Sequence, residues 1–256
     1  MTDIITVCIE AAKEAGEFLR SNFGKEIASI ETKADQSLAT NLDKEAERLI
    51  VDRIKRKFPT HGIIGEERGR DGGGGDYLWI IDPLDGTHNF IRGISIFGVS
   101  IGVVRGDHFI AGVVYHPVSD ELYVGEKGNG AYKNQQRIFV SPNKDLQEAT
   151  INFDSSLKTN RDQKLRVLRD LAAKAFNIRM LGATSRQMTY LAEGKMEAVI
   201  DFEDHPWDFA AGACIIEEAG GKLTNIEGGE LTYRHHGYIA SNGLIHPEIL
   251  KIVHQK

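Results

Sequence analysis

The run Trp79-Ile80-Ile81-Asp82-Pro83-Leu84-Asp85-Gly86-Thr87-His88-Asn89-Phe90 constrains this chain more than any other stretch. An apolar, β-favouring segment leads into two carboxylates three residues apart, and a Gly-Thr pair follows where a helix can begin. Mg²⁺ is a hard cation that prefers carboxylate and carbonyl oxygens in octahedral geometry. Phosphate prefers the backbone N–H groups of a helix start, with Gly permitting close approach. Pro83 fixes φ and has no N–H, so it stiffens the turn that aims Asp82 and Asp85. The segment therefore suits a divalent metal beside a phosphate. Asp, Pro and Gly are also ordinary turn residues, so other acidic positions must decide between a site and a plain strand-to-turn junction.

With 256 residues, 41% of them hydrophobic, the chain has enough material for one large domain or two closely packed ones. Its formal charge of −6 argues against nucleic acid as a partner, because binding a phosphate backbone needs a cationic surface. No stretch approaches the roughly 20 apolar residues that span a bilayer, and acids interrupt the N-terminal apolar run too soon for a secretory signal. Cys8 and Cys214 are too few and too far apart for a disulfide framework or a thiolate metal site, so a cytoplasmic location is expected. Each falls on an apolar helix face and reads as a core residue.

Apolar spacing predicts a helix over Asp3–Asn22, with Ile5, Cys8, Ala12, Ala15, Phe18 and Leu19 on one face, and a second over Asp43–Phe58 capped by Thr40 or Asn41. Gly72 to Gly75 form a glycine run that reads as a loop. Ile96–Val104, His108–Tyr115 and Glu121–Gly125 read as an antiparallel meander. Beyond about Ser141 the pattern alternates, with strands at Ala149–Phe153 and Ala198–Phe202 and helices at Arg161–Ala175, Ser185–Gly194, Pro206–Gly220 and His246–His254. Gly98-Val99-Ser100-Ile101-Gly102 matches a nucleophile-elbow pattern, but it lies inside a strand with no helix to follow, so Ser100 is set aside.

Three further acids have informative settings. Glu66 follows the apolar pair Ile63-Ile64, Asp208 opens an apolar helix after His205-Pro206-Trp207, and Asp43 begins the second helix. Asp43 and Asp208 also suit the positive end of a helix dipole, so each alone has a structural explanation.

Taken together, these segments resemble the inositol monophosphatase family of lithium-sensitive, Mg²⁺-dependent phosphatases. The resemblance rests on Asp82-Pro83-Leu84-Asp85-Gly86-Thr87 and on Trp207-Asp208-Phe209-Ala210-Ala211-Gly212 leading into Glu218-Ala219-Gly220-Gly221. Shorter matches are Gly65-Glu66-Glu67, Thr40 to Asp43 and Gly128-Asn129-Gly130-Ala131, all in the expected order. It implies an α/β layered sandwich of alternating helix and sheet layers. Residues 1–142 would form an antiparallel-rich α+β half carrying most metal ligands, and residues 143–256 an α/β half carrying Asp201 and Asp208.

The resemblance also implies two or three Mg²⁺ ions. Glu66, Asp82 and the Leu84 carbonyl would hold one, and Asp82, Asp85 and Asp208 a second. Gly86 and Thr87 would hold the phosphate, while Asp43, Thr87 and Glu66 would activate the attacking water. Glu67 would stand close by. Asp201, Ser185 and Asp85 would face the alcohol part of the substrate, and Lys33 would belong to a closing loop. A contact after the first strand of the second half, near Asn152 to Ser156, does not align on sequence. Further expectations are a small phosphorylated metabolite as substrate, a homodimer and inhibition by lithium. Inositol 1-phosphate is the favoured substrate. Fructose 1,6-bisphosphate, a 3′-phosphorylated nucleotide and histidinol phosphate are alternatives, as is a regulatory role binding a protein partner. The Gly72 to Gly75 run departs from the charged loop of the animal enzymes, which bears on a third metal.

Overall fold

The computed structural model describes residues 2–32, 38–72 and 75–255. The chain starts with α1 (Asp3–Asn22), capped by Thr2, whose hydroxyl accepts from the Ile5 amide. Its stripe of Ile5, Cys8, Ala12, Ala15 and Leu19 is fully buried. An antiparallel pair, β1 (Ile30–Thr32) and β2 (Leu38–Thr40), leads into α2 (Asn41–Lys57). Lys33 lies outside the described residues. Thr40 caps α2, as expected, in a reciprocal arrangement with Asp43.

A sheet of eight strands follows: β3 (Gly62–Gly65), β4 (Gly69–Asp71), β5 (Tyr77–Asp85), β6 (Gly98–Arg105), β7 (His108–His116), β8 (Glu121–Glu126), β9 (Gly130–Lys133) and β10 (Gln136–Arg137). Their order is β10-β9-β8-β7-β6-β5-β3-β4, with only β3 and β5 parallel. The expected meander is β6 to β8. Between β5 and β6 lies the short α3 (Thr87–Ile91). Both faces of this sheet are covered, which is why β5 reads as a continuous apolar run and not as an alternation. Trp79 and Ile81 pack with α1 and α2, while Leu78 and Ile80 pack on the opposite side.

The second sheet has the order β12-β11-β13-β15-β14, built from β11 (Thr150–Phe153), β12 (Asn177–Arg179), β13 (Ala198–Asp201), β14 (Lys222–Thr224) and β15 (Tyr238–Ser241). β11, β12 and β13 are parallel, and β15 runs antiparallel to both β13 and β14. Between the sheets lie α5 (Thr184–Ala192) and α6 (Pro206–Glu218), and outside the second sheet lie α4 (Arg161–Ala172) and α7 (His246–His254). The result is a layered α/β sandwich of alternating helices and sheets. Helix α4 ends three residues before the expected Ala175, and the short strands β12, β14 and β15 carry too little pattern to be seen in the sequence. Among the described residues no helix is long and apolar enough to cross a membrane.

Helix α6 is apolar all round because it is buried on all sides, from Phe209 to Ile216. It lies unusually close to the large sheet. Gly102, Gly112 and Gly125 are register neighbours on β6, β7 and β8 and form a side-chain-free track beneath it. A Cβ on Gly112 would stand 2.1 Å from the Ala211 carbonyl oxygen. Gly112→Ala is therefore expected to destabilise the protein by about 1–3 kcal/mol through overpacking, read from urea midpoints. Because α6 carries Asp208, a displacement of the helix would move that carboxylate too.

Candidate active site

Residues 82 and 85 of an ideal strand would point to opposite faces, since side chains alternate with period 2. The register of β5 against β6 slips between them: Asp82 pairs with Ser100 and Asp85 with Gly98, so β5 holds one residue more than its partner. This is a β-bulge, which suits Pro83 because a bulge tolerates a missing N–H. The extra residue brings both carboxylates to one cavity of about 680 Å³. Asp82 Oδ1 also accepts from the Leu84 amide at 3.0 Å, which tightens the turn.

Glu66 joins them because β3 runs parallel beside β5, and the Glu66 amide donates to the Ile81 carbonyl at 3.1 Å. Asp208 enters from the first turn of α6, where its carboxylate accepts the His205 amide at 2.6 Å and Pro206 occupies the first turn. Gly86 caps α3 at φ 84°, and a Cβ there would meet the Ile96 carbonyl at 2.8 Å, so glycine is required twice over. The first-turn amides of α3 have no intrahelical acceptor. Glu66, Asp82, Leu84, Asp85, Gly86, Thr87 and Asp208 all line the one cavity.

Asp43 lies behind them, fully buried. Its Oδ2 accepts from the Thr40 amide at 2.8 Å and from the Thr40 hydroxyl. Its Oδ1 is 3.1 Å from the Thr87 hydroxyl, which also reaches the Leu84 carbonyl at 2.9 Å; the single proton serves one acceptor at a time.

Burial and mutual repulsion dominate the electrostatics. Burial first, then the charges of Glu66, Asp85 and Asp208, hold Asp82 well above the usual carboxylate range. Asp208 is raised likewise by burial and by Glu66 and Asp85. Asp85 is raised by burial, although bonds from Ser185 and Thr184 oppose the shift, and burial also raises Asp43. Among the described residues no three acidic, histidine or cysteine side chains already stand as a closed coordination shell. The donor set is nonetheless composed of hard oxygens that repel one another. That chemistry fits a divalent cation such as Mg²⁺, which needs oxygen ligands and keeps several waters of its own.

A second cavity of about 310 Å³ adjoins the first, with Asp85 and Asp208 lining both. Asp201 lines this second cavity, and burial followed by the charge of Asp154 pushes its pKa up to about 7. Ser185, expected to face the substrate, is buried, lines neither cavity and donates through amide and hydroxyl to Asp85. Its neighbour Thr184 lines the cavity instead, while its amide donates to the other Asp85 oxygen at 3.0 Å. The reason is geometric: the start of α5 points its free amides at Asp85 and draws the Ser185 side chain beneath that carboxylate.

Several residues of the site escaped the sequence reading. Glu47 is buried and accepts from the Glu67 amide at 2.9 Å and the Arg68 amide at 3.1 Å, anchoring the turn that presents Glu66. An acid one turn after Asp43 on the apolar face of α2 was the available signal. Asp204 accepts from the Thr184 hydroxyl at 2.7 Å and is held well above its usual pKa by burial, then by Asp201 and Asp208. Asp154 and Lys164 form a buried ion pair at 2.7 Å, and Asp154, Ser155 and Ser156 line the second cavity. The unaligned stretch after β11 thus belongs to the cavity wall. Ser100 is buried in mid-strand, and its hydroxyl donates to the Trp207 carbonyl at 3.4 Å.

Known proteins share this sequence and fold. Residues 1–256 match the model of the inositol monophosphatase family. A fructose-1,6-bisphosphatase/inositol-1-monophosphatase of Aquifex aeolicus is 39% identical over 245 residues, covering 94% of this chain and 92% of the relative. The Nus factor SuhB of Pseudomonas aeruginosa is 37% identical over 236 residues, covering 89% and 87%. Among solved structures, the extragenic suppressor protein suhB of Bartonella henselae superposes with a TM-score of 0.95 at 30% identity, over 99% of both chains.

Proposed function

The chain belongs to the inositol monophosphatase family and is a phosphomonoester hydrolase; from that premise we propose that it hydrolyses a small polyol monophosphate, inositol 1-phosphate foremost, with Mg²⁺. The observation that carries this reading is the bulge that turns Asp82 and Asp85 to one side, facing Glu66 and Asp208 at the start of α3.

Glu66, Asp82 and the Leu84 carbonyl would hold one Mg²⁺, and Asp82, Asp85 and Asp208 the other, with Asp82 shared. Bound there, the ions supply charge neutralisation and a more acidic attacking water. The Gly86 and Thr87 amides orient the phosphate oxygens, so that a water on the Thr87 side attacks in line with the leaving alcohol. Thr87 relays the proton of that water toward Asp43, whose Oδ1 accepts from the Thr87 hydroxyl and whose carboxyl burial holds above its ordinary pKa. Glu47 keeps the Glu66 turn in place, and the α5 amides keep Asp85 oriented with one oxygen lone pair to spare. Asp201, and with it Asp204, faces the hydroxyls of the alcohol. A homodimer in the cytoplasm completes the reading.

The test is phosphate release from inositol 1-phosphate, fructose 1,6-bisphosphate, 3′-phosphoadenosine 5′-phosphate, histidinol phosphate and glycerol 2-phosphate, with Mg²⁺ and with EDTA. Mg²⁺-dependent release with the highest kcat/KM for inositol 1-phosphate is expected. A higher value for the bisphosphate would shift the assignment toward the other activity in the name of the Aquifex relative. Release from none of them would favour a regulatory, partner-binding role; the Pseudomonas relative is named a Nus factor.

A further inference from the structure

The two strands that carry the active site have a second cavity at their far ends. β5 begins at Tyr77 and β6 ends at Arg105, and these two residues pair, whereas Asp85 and Gly98 pair at the opposite end. Five strand steps separate Tyr77 from Asp82 and eight separate it from Asp85, so at roughly 3.3 Å per residue this cavity lies roughly 16 Å from the one carboxylate and roughly 26 Å from the other. It has a volume of about 540 Å³ and is lined by Arg70, Arg105, Arg234, His108, Tyr77 and Tyr233, with Asp76 the one acid. Both sheets contribute: Arg70 comes from the edge strand β4, and Tyr233 and Arg234 from the loop between β14 and β15.

In a chain of net charge −6 this concentration of guanidinium groups is an exception to the general surface. Two of them are held in place by aromatic rings. Arg105 lies 5.4 Å from the Tyr77 ring centre, and Arg234 lies 4.5 Å from that of Tyr233. Tyr77 is itself stacked on His61, with ring centres 4.9 Å apart. Asp76, within the lining, stands 3.7 Å from Arg105, and Asp107 bonds Arg234 from outside it. Among the described residues the Arg70 side chain makes no hydrogen bond or ion pair. Planar guanidinium forks match the oxygens of phosphate, and tyrosine hydroxyls add further donors. The volume is that of a small-molecule site.

We propose that this cavity is a second binding site, separate from the carboxylate centre, for a small molecule carrying more than one phosphate charge. The position at the far ends of β5 and β6 gives such a ligand direct contact with the strands that present Asp82 and Asp85.

Calorimetric titration of the full chain with inorganic tripolyphosphate and with ATP tests this in EDTA, where the carboxylate centre repels anions. One saturable site is expected, weakening as salt rises. Arg70→Glu and Arg105→Glu should each weaken it by at least about tenfold, the loss of one charged hydrogen bond. Arg169→Glu, on the exposed side of α4, should leave it unchanged. Arg70→Glu guards against a folding artefact, since that side chain has no described partner. The proposal is overturned if neither anion binds saturably, if Arg169→Glu weakens binding as much as the other two, or if only a single-stranded RNA oligomer binds.

Discussion

Asp82→Asn is expected to reduce Mg²⁺-dependent phosphate release by more than about 10³-fold, equivalent to about 4 kcal/mol of transition-state stabilisation. Asp82 is the carboxylate placed to serve both proposed metal positions, and its shape changes little on replacement by the amide. The same substitution is expected to leave the metal-free protein at least as stable as wild type, because Asp82 is buried against Glu66, Asp85 and Asp208. Its folded-state pKa lies well above its unfolded value, so the folded state binds the proton more tightly. The Asp82 contribution to wild-type stability in EDTA should therefore be fully present below about pH 4 and be lost as pH rises through the folded pKa. The variant should lack that component. Thermal melts in EDTA across pH, beside single-turnover assays in Mg²⁺, separate the two effects. An inactive variant that is also much less stable would indicate a scaffold role for Asp82 and not a catalytic one. Asp208→Asn should behave similarly, since burial and the same neighbours raise it.

Lys164→Met should be the most destabilising single change away from the carboxylates. The lysine side chain is inaccessible to solvent, with Asp154 at 2.7 Å, Glu203 at 3.2 Å and the Ser156 carbonyl at 2.6 Å. Burial works against its charge, yet Asp154 and Glu203 outweigh that and hold its pKa above the usual lysine value. The second Asp154 oxygen has no hydrogen bond of good geometry and depends on that ammonium for compensation. Removing one partner of a buried pair leaves the other uncompensated, at a cost of about 3–5 kcal/mol. Urea unfolding should show this loss, and Asp154→Asn combined with Lys164→Met should lose less than the sum of the singles. Because the pair braces the turn that lines the second cavity, KM for the substrate should rise more than kcat falls. A loss below about 1 kcal/mol, the level of an exposed pair, would refute the argument.

Much of the placement of helices and long strands, and the change of character near Ser141, was legible in local pattern, but the layer order was not. The spacing of Ile5, Cys8, Ala12, Ala15, Phe18 and Leu19 predicted α1 to its observed ends, and the helix expected over His246–His254 is α7. Thr40 announced α2 through its cap, a local hydrogen bond written in adjacent residues. Short strands such as Tyr238–Ser241 were not legible, because four residues carry no period and their pairing is decided by neighbours across the sheet.

The candidate site divides the same way. Local turn chemistry and glycine's conformational freedom singled out Asp82, Asp85, Gly86 and Thr87, whereas Asp208 joined them only through the resemblance of the two motifs to the family's pattern. Ser185 shows the limit: its residue type suited a substrate contact, but its place beneath Asp85 follows from the angle at which α5 meets β5. Glu47, Asp204 and the Asp154–Lys164 pair became visible only when helix and sheet were brought together, since their roles rest on burial and long-range partners.

What the sequence determined by itself was where the long helices and the meander strands lie, how α2 is capped, and which oxygen-rich chemistry the chain carries. Only the tertiary structure decided that Asp82 and Asp85 face the same way, that Glu66 and Asp208 meet them, and that three arginines gather at the far ends of the same strands. Propensity and capping act over a few residues, whereas a bulge's direction, a glycine track under a helix and the repulsion of buried carboxylates exist only between segments already packed together.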